Sequence, residues 1–321
     1  MASEFAVIDR VFRHLTGAGG DVLQGVGDDC ALVKPPAGAA LAITTDTLVE
    51  GVHFPVGTAA ADIGWKALAC SLSDLAACGA RPAWVTLTLV LPAADEAWLR
   101  DFATGFGALA AEHDTTLIGG DLVRGGQTMV TVQACGYLPA DDFMTRAGAR
   151  PGDGVYVSGS PGEAAAALGV GVERVHAALR ARLDRPTPRV ALGRSLVSIA
   201  SACIDVSDGL AADLGHVLTA SGVGARLELS ALPVSSRLRA AGNPGQVTEW
   251  ILSGGDDYEL CFTAPPDKER EINILDSDLP VISRVGVIES KPGLRLVDCE
   301  GEVRDWTGGG YDHFHEADDA F

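Results

Sequence analysis

Seven aspartates of this chain follow short apolar runs, and each stands among small residues or glycines. Mg²⁺ takes oxygen ligands and is usually held by a few carboxylates together with the phosphates of a substrate. The sequence therefore predicts a site in which carboxylates at strand ends bind several magnesium ions that present a polyphosphate. The seven residues are Asp28, Asp29, Asp46, Asp74, Asp121, Asp205 and Asp208.

Two glycines directly before one of these aspartates suit a phosphate. Gly119 and Gly120 have no side chains, so a nucleotide phosphate can approach their backbone; a simple tight turn is the alternative. The chain contains no Gly-x-x-x-x-Gly-Lys-Ser/Thr loop and no EF-hand spacing, which excludes a P-loop kinase and an EF-hand protein.

The charge balance limits which ligands and surfaces the protein can bind. The chain has 43 acidic and 24 basic residues, a net charge of −19 and an isoelectric point near 4.6. Such a protein repels nucleic acids and anionic membrane surfaces. An anionic ligand such as ATP would then be held through bound cations, whose charge dominates the site.

The length and the turn signals predict two domains. A chain of 321 residues is typical of about two domains. The stretch 145–154 is rich in glycine and contains Pro151, so the boundary is predicted there, with domains 1–148 and 149–321. Both halves mix strand and helix patterns, which predicts two α/β domains with mixed sheets and a site between them.

Apolar periodicity predicts the elements that carry the motifs. In the first half it predicts strands at Leu41–Thr45, Trp84–Leu91, Thr116–Ile118 and Met129–Tyr137, and helices at Phe5–Leu15, Asp62–Cys78 and Asp95–His113. In the second half it predicts strands at Val155–Ser158, Ala225–Leu229, Tyr258–Thr263, Val281–Ile288 and Leu294–Val297, and helices at Val190–Ala200, Leu210–Ala220 and Lys268–Leu275.

The predicted helix Asp62–Cys78 has a face of small residues around one carboxylate. Helical spacing puts Cys70, Ser71 and Asp74 on that face, so Asp74 projects from it. The alternative is an ordinary packed helix whose aspartate bonds to a neighbouring loop. In the strand Trp84–Leu91, a threonine face beside the tryptophan indicates either solvent or a subunit interface.

The remaining composition fits a cytoplasmic enzyme. The seven cysteines are scattered without a Cys-x-x-Cys pair, so we expect reduced thiols and neither disulfides nor a zinc site. No apolar run of about 18 residues predicts a membrane span, and the first residues do not have the pattern of a signal peptide.

Seven phrases in order resemble the thiamine-monophosphate kinase family of the aminoimidazole ribonucleotide synthetase-like superfamily. The phrases are GVGDDCA (25–31), ITTDTLVEGVHF (43–54), SLSDLAACGA (71–80), IGGD (118–121), IDVSDGL (204–210), LSGGDDYEL (252–260) and GYDHF (310–314). The resemblance implies ATP-dependent phosphorylation of thiamine monophosphate to thiamine diphosphate by direct in-line transfer. It also implies a homodimer built through the N-terminal domains.

The resemblance also implies the roles of single residues. The implied magnesium ligands are Asp29, Thr44, Thr45, Asp46, Asp74, Asp121, Asp205 and Asp208. The implied ATP-binding residues are Gly119, Gly120, Asp121, Arg146 and Ser207. The implied contacts to the thiamine substrate are His53, Asp256 and Tyr311. The stretch 185–189, which ends in Arg189, is interpreted as the loop before a helix, with phosphate contact as the alternative.

The chain departs from the family pattern at two positions. Asp256 stands where relatives carry glutamate, which shortens the implied substrate contact, and Leu122 stands where relatives often carry a hydroxyl residue. Two other functions stay open. One is a different ATP-using enzyme of the superfamily, such as a selenophosphate synthetase or a hydrogenase-maturation dehydratase. The other is a divalent-cation binding protein without catalysis.

Overall fold

The computed structural model describes residues 4–16, 20–275 and 278–311, and these residues divide into two compact units. Unit 1 contains residues 4–16, 20–75 and 80–141, and unit 2 contains residues 76–79, 142–275 and 278–311. The passage from unit 1 to unit 2 falls at residues 141–142. The domain boundary after residue 148 stays a prediction.

Unit 1 is built on a four-stranded sheet. Its elements are α1 (Glu4–Val11), β1 (Val22–Gln24), β2 (Leu32–Val33), β3 (Ala39–Val49), α2 (Ala60–Cys78), β4 (Arg81–Leu91), α3 (Glu96–Glu112), β5 (Thr116–Arg124) and β6 (Met129–Pro139). The strand order is β3-β6-β4-β5, in which β6 runs antiparallel to β3 and β4, and β4 runs parallel to β5. The end of α2, residues 76–78, is grouped with unit 2.

The two faces of this sheet differ in exposure. Along β3 the side chains of Ile43 and Thr45 are exposed, whereas those of Thr44 and Asp46 are partly buried on the opposite face. This alternation follows from the two-residue period of a strand. The helices α2 and α3 supply large buried side chains: Leu68, Leu72, Leu75, Phe102, Phe106 and Leu109. The side chain of Asp95 caps α3 by accepting the Ala97 N–H at 2.9 Å.

Unit 2 contains a seven-stranded sheet. Its elements are β7 (Gly154–Ser158), α4 (Glu163–Val170), α5 (Ala177–Asp184), α6 (Val190–Leu196), β8 (Ala202–Val206), α7 (Leu210–Ser221), β9 (Gly224–Glu228), α8 (Ser236–Ala241), α9 (Pro244–Ser253), β10 (Glu259–Ala264), α10 (Glu269–Asn273), β11 (Ile282–Glu289), β12 (Gly293–Val297) and β13 (Val303–Asp305). The order is β13-β12-β9-β11-β7-β10-β8, with β9 and β12 parallel and the other neighbours antiparallel.

The mixed α/β class is confirmed, but several predicted elements need correction. Strands β3 and β5 extend to Val49 and Arg124, beyond the predicted ends at Thr45 and Ile118. The predicted helix Val190–Ala200 ends at Leu196. Within the described ranges, elements without a predicted counterpart include β1, β2, β8, β13, α4, α5, α8 and α9, and the 3₁₀ turn Leu229–Ala231. Most are short, and α4 is apolar on all sides, so periodicity does not reveal it.

In the described part of the chain, no helix is long and apolar enough to cross a membrane. All seven cysteines lie in the described ranges, and no disulfide joins them.

Candidate active site

Two aspartates of unit 1 approach each other from a strand and a helix. Asp46 lies in β3, and its Oδ2 accepts a hydrogen bond from the Ser71 hydroxyl on α2 at 2.8 Å. Asp74, one turn further along α2, accepts a hydrogen bond from the hydroxyl of Thr44. The strand and the helix therefore hold two carboxylates and two hydroxyls in one polar cluster.

The electrostatics of this cluster favour a cation. Burial raises the pKa of Asp46 to about 6, the negative charge of Asp74 acts in the same direction, and the Ser71 hydrogen bond opposes both. Two adjacent carboxylates disfavour each other's ionised form, and a divalent ion placed beside them reverses this effect. The cluster thus has the charge and the donor atoms of a magnesium site.

The predicted strand-end position is wrong for two of the aspartates. Asp46 and Asp121 lie inside β3 and β5, because these strands continue past the apolar run that precedes each aspartate. Asp205 is the second-last residue of β8 and lies at its end, as predicted. The hydroxyl of Thr45 is also separated from the cluster. Its side chain lies on the exposed face of β3, opposite to Thr44 and Asp46.

A second group of predicted residues lines a cavity in unit 1. The cavity has a volume of about 770 Å³, and its wall includes Asp29, Gly119, Gly120 and Asp121. The Leu122 N–H donates to Asp121 Oδ1 at 2.9 Å, so this carboxylate folds back on its own strand. The cavity brings the loop 26–31 together with β5, two segments far apart in the sequence.

The predicted substrate residue His53 lies in the turn after β3. Its Nδ1 accepts the Val49 N–H at 3.0 Å, and its carbonyl oxygen accepts the buried Lys66 ammonium at 2.9 Å. A ring nitrogen that accepts an N–H carries no proton, so the proton of the neutral imidazole is on Nε2. His53 is therefore oriented by its own turn and by a lysine of α2.

Unit 2 brings the other predicted aspartates together at the turn between β8 and α7. Asp205 is buried in β8, and Ser207 and Asp208 form the half-buried turn. The Asp256 N–H donates to the Ser207 carbonyl at 2.9 Å, and the Tyr311 N–H donates to the Asp208 carbonyl at 3.4 Å. Predicted metal, nucleotide and substrate residues thus meet at one turn.

The segment 256–258 has an unusual backbone. Asp256 and Tyr258 adopt left-handed conformations with φ of 68° and 53°, and this is costly for a bulky residue such as tyrosine. The Tyr258 hydroxyl donates to Asp256 Oδ1 at 3.0 Å. Between them, buried Asp257 accepts the Gly162 N–H at 2.5 Å at the start of α4. Strained backbone of this kind is typical of functional loops.

The aspartate Asp213 was missed at the sequence level. It lies buried in the first turn of α7 and accepts the N–H groups of Ser207 and Asp208 at 3.1 and 3.0 Å. Burial raises its pKa to about 7; the charge of Asp208 adds to the rise, and these two hydrogen bonds and the charge of Arg146 oppose it. The sequence signal that could have revealed Asp213 is an acidic residue in the first helical turn after the IDVSDGL phrase.

The arginine of the stretch 185–189 has a structural role. Arg189 occupies the N-cap position of α6, and its guanidinium forms an ion pair with Glu259, which is fully buried. Arg182 donates to the same carboxylate at 2.8 Å. The interpretation of this stretch as a helix-start loop agrees with the structure, and the guanidinium of Arg189 is engaged by Glu259 within unit 2.

The described residues contain no group of three or more His, Cys, Asp or Glu side chains close enough to hold one metal ion. Of the predicted ligands, Asp46 and Asp74 lie close together in unit 1, and Asp205 and Asp208 lie three residues apart in and after β8 of unit 2. Residues 312–314 of the last motif lie outside the described residues.

Two family models match this chain, one in each half of the sequence. Residues 27–138 match the model of the AIR synthase related protein N-terminal domain, and residues 150–299 match that of its C-terminal domain. The thiamine-monophosphate kinase of Salmonella typhimurium is 46% identical over an alignment of 327 residues, gaps included, which spans 97% of this chain and 98% of that enzyme. This chain belongs to the thiamine-monophosphate kinase family.

Solved structures of the family have the same fold. A thiamine-monophosphate kinase from Stenotrophomonas maltophilia superposes with a TM-score of 0.86 at 46% identity, over 94% of this chain and 97% of that one. AaThiL complexed with AMPPCP and TMP superposes with a TM-score of 0.77 at 30% identity, over 97% of both chains. The resemblance inferred from the seven phrases is confirmed.

Proposed function

We propose that this protein transfers the γ-phosphoryl group of ATP to the phosphate of thiamine monophosphate, which gives thiamine diphosphate and ADP. The observation that carries this proposal is the full-length likeness to the Salmonella enzyme, together with the likeness to AaThiL, which was solved with AMPPCP and TMP. Because ATP is the co-substrate, we propose that the reaction takes place in the cytoplasm.

The residues present fit magnesium as the metal. Magnesium is typically held by one or two carboxylates, with waters and substrate phosphates completing the shell. Asp46 and Asp74 with the Thr44 hydroxyl offer such a partial set in unit 1. Asp205 and Asp208 offer another in unit 2. Asp29 and Asp121 line the cavity and are the remaining proposed ligands.

The nucleotide is proposed to bind through both backbone and side chains. Gly119 leaves the cavity wall open to a phosphate, and Gly120 lies beside it in the same wall. Arg146 is exposed, and its planar guanidinium matches phosphate oxygens. The Ser207 N–H and carbonyl are both engaged within unit 2, so its hydroxyl is the group that we assign to the phosphate.

The acceptor is proposed to bind through three side chains. His53 offers an Nε2–H donor to the phosphate of thiamine monophosphate, since its Nδ1 is engaged by Val49. Asp256 is proposed to face the cationic thiazolium, and the ring of Tyr311, which is 43% exposed, is proposed to stack on the substrate.

The transfer needs no strong general base, because the acceptor phosphate is already anionic at neutral pH. One bond forms between its oxygen and the γ-phosphorus, and the bond from that phosphorus to the β–γ bridging oxygen breaks. Magnesium, when bound, neutralises and aligns the phosphate oxygens of the two anions. The carboxylates of the chain would hold the magnesium ions in place. The guanidinium of Arg146 adds a fixed positive charge.

The subunit contact is proposed to be the exposed face of the unit 1 sheet, which would give a homodimer. On this face Leu41 and Ile43 are 42% and 61% exposed, and Ile43 is paired with Cys135 of β6. The hydroxyls of Thr47 and Thr131 bond to each other at 2.9 Å beside them. Large apolar side chains on an ordered sheet face are typical of a protein interface.

The activity is tested by incubating the full chain with ATP and Mg²⁺ and either thiamine monophosphate or free thiamine. We expect thiamine diphosphate from the monophosphate only, because the free alcohol lacks the anionic nucleophile and the site supplies no base. Product chromatography and ADP release measure the outcome. An excess of EDTA is expected to stop the reaction.

The same assay separates the alternatives. Hydrolysis of ATP that does not depend on thiamine monophosphate would favour another ATP-using enzyme of the superfamily. Binding of divalent cations without any turnover of ATP would favour a cation-binding protein. Efficient conversion of free thiamine would overturn both the acceptor and the absence of a general base.

A further inference from the structure

The segment 254–258, which carries one of the proposed substrate contacts, is packed closely on two sides. A Cβ at Gly254 would lie 2.3 Å from the Cβ of Ala165 in α4. A Cβ at Gly255 would lie 2.2 Å from the Ser207 carbonyl oxygen in the turn after β8. The chain therefore passes between α4 and this turn with no room for side chains at its first two residues.

The backbone that follows the two glycines is held from the side of β8. The Asp256 N–H donates to the Ser207 carbonyl at 2.9 Å, and the Tyr258 N–H donates to the Val206 carbonyl at 2.8 Å. Both donors belong to residues in left-handed conformations, with φ of 68° and 53°. Such conformations cost free energy in residues other than glycine and persist only where the surrounding structure holds them.

The side chain of Asp257 holds the same segment from the side of α4. Its Oδ2 accepts the Gly162 N–H at 2.5 Å, and its Oδ1 accepts the Ala164 N–H at 3.4 Å. Asp257 is only 1% exposed, so these backbone donors take the place of water around the carboxylate. The residue between the two left-handed residues is thus bound to the start of a helix.

An independent anchor holds the start of β10. Glu259 is fully buried, and its carboxylate accepts Arg182 at 2.8 Å and the Ser158 hydroxyl at 2.5 Å. The guanidinium of Arg189 pairs with the same carboxylate. Because these contacts do not involve the Asp257 carboxylate, we expect its loss to release the segment before β10 and to leave the strand in place.

We infer that Asp257 is a positioning residue for the substrate site. By accepting the N–H groups at the start of α4, it keeps Asp256 in its left-handed conformation and thereby directs the Asp256 carboxylate. That carboxylate accepts the Tyr258 hydroxyl at 3.0 Å across Asp257, so both partners depend on the residue between them. The inference rests on the proposed function, in which Asp256 faces the thiazolium of thiamine monophosphate. Asp257 itself is buried and does not reach the substrate.

The test measures the KM for thiamine monophosphate in folded variants of the full chain. Asp257→Ala removes both acceptor oxygens, and we expect this KM to rise about tenfold, the scale of a displaced charged contact. Asp257→Asn keeps an acceptor oxygen for the Gly162 N–H, so its KM is expected to stay within about threefold of the parent. A readout that needs no turnover is hydrogen exchange in the segment 256–258, which should be faster in Asp257→Ala than in Asp257→Asn.

A double-mutant cycle tests whether Asp257 acts through Asp256. If it does, Asp256→Ala and the double variant Asp256→Ala/Asp257→Ala should have nearly the same KM for thiamine monophosphate. The second substitution then has no substrate contact left to displace, so the two effects are not additive.

The matched control is Asp153→Ala. Asp153 is also buried in unit 2 and accepts the Arg150 N–H at 3.0 Å. It lies at the other end of β10 from Asp257, next to Gly154, which pairs with Ala264. Its loss is expected to lower the melting temperature without changing the KM for thiamine monophosphate.

Several results would overturn the inference. One is a folded Asp257→Ala variant with the KM of the parent; Asp257→Ser takes its place if the alanine variant does not fold. Others are an Asp257→Asn variant that loses as much as the alanine variant, additive effects in the cycle, and an equal rise of KM in Asp153→Ala. All of these leave the proposed function intact. A parent that does not phosphorylate thiamine monophosphate would overturn the proposed function and the inference together.

Discussion

At the scale of the residue, Asp46 is a proposed metal ligand whose burial lowers the stability of the metal-free fold. It is partly buried beside Asp74, and its pKa is raised to about 6, whereas an aspartate in an unfolded chain titrates near 3.9. A carboxyl whose pKa is raised on folding contributes stability below the unfolded pKa, and this stability is lost as the pH rises through the folded value. The window is therefore about pH 4 to 6.

The first prediction is that Asp46→Asn separates stability from activity. Without metal, the variant is expected to melt above the parent at pH 8, and the difference is expected to shrink as the pH falls to about 4. Its activity should drop by more than about tenfold, roughly 1.4 kcal/mol of barrier. Melting curves in EDTA and turnover with Mg²⁺ measure the two effects. An active variant would remove Asp46 from the proposed ligands.

The second prediction concerns Asp256, where the chain departs from its family. Its carboxylate accepts the Tyr258 hydroxyl at 3.0 Å, so the shorter side chain is oriented by its neighbour. Asp256→Ala should raise the KM for thiamine monophosphate by the equivalent of about 1–3 kcal/mol, the scale of a lost charged hydrogen bond. Asp256→Glu, which restores the family residue, should keep or improve that KM.

Steady-state kinetics on folded variants decides whether Asp256 contacts the substrate or only shapes its own turn. If Asp256 only shapes the turn, with its φ of 68°, then alanine would lower stability and leave the substrate KM unchanged. That result would take Asp256 out of the substrate site. The KM for ATP serves as the internal control, because we assign no nucleotide contact to this residue.

At the scale of the element, β5 carries two glycines with different roles. A Cβ at Gly119 would meet nothing within 4 Å, whereas a Cβ at Gly120 would lie 1.8 Å from the Leu87 carbonyl oxygen of β4. Gly120 also has a φ of 154°. Gly120 is therefore required by the strand pair, and Gly119 is free of that constraint although it lines the cavity.

The third prediction is a contrast between these neighbours. Gly119→Ala should keep the melting temperature of the parent and raise the KM for ATP, because its methyl group would occupy space proposed for phosphate. Gly120→Ala should destabilise the fold by about 1–3 kcal/mol, the cost of a strained backbone. Denaturant unfolding and nucleotide titration are the measurements. Equal effects of the two substitutions on ATP binding would contradict this assignment.

At the scale of the whole molecule, the exposed face of the unit 1 sheet carries the proposed homodimer contact. The fourth prediction is that Ile43→Lys converts the dimer to a monomer, since a buried unpaired ammonium in an interface costs more than the contact gains. Val56→Lys is the control, because Val56 is 80% exposed and lies outside the sheet. Light scattering after size-exclusion chromatography measures the mass. A monomeric parent, or a dimeric Ile43→Lys variant, would disprove the contact.

The sequence by itself determined the family, the mixed α/β class and the longer elements. The helix Ala60–Cys78 and the strands at 81–91 and 129–139 were predicted within a few residues. In a long segment the spacing of the apolar residues indicates both the type of element and the face that is buried. The motif order identified the family because each phrase joins glycines and carboxylates in a fixed sequence. Both kinds of information are local.

Only the tertiary structure decided which side chains meet and which face they occupy. It paired Thr44 with Asp74 and Ser71 with Asp46, and it separated Thr45 from both, because a strand alternates its faces. The strands also extend past their apolar runs in the tertiary structure. Pairing with a neighbouring strand stabilises a polar stretch that its own residue pattern would predict to be a loop.

The contacts of Asp213 show the same limit most clearly. In the sequence it is one more acidic residue in the first turn of a helix, where carboxylates are common. In the structure, its Oδ2 accepts two N–H groups of the preceding turn at 3.1 and 3.0 Å. Such a contact depends on backbone direction, which residue types alone do not specify, so this part of the site was decided by the fold.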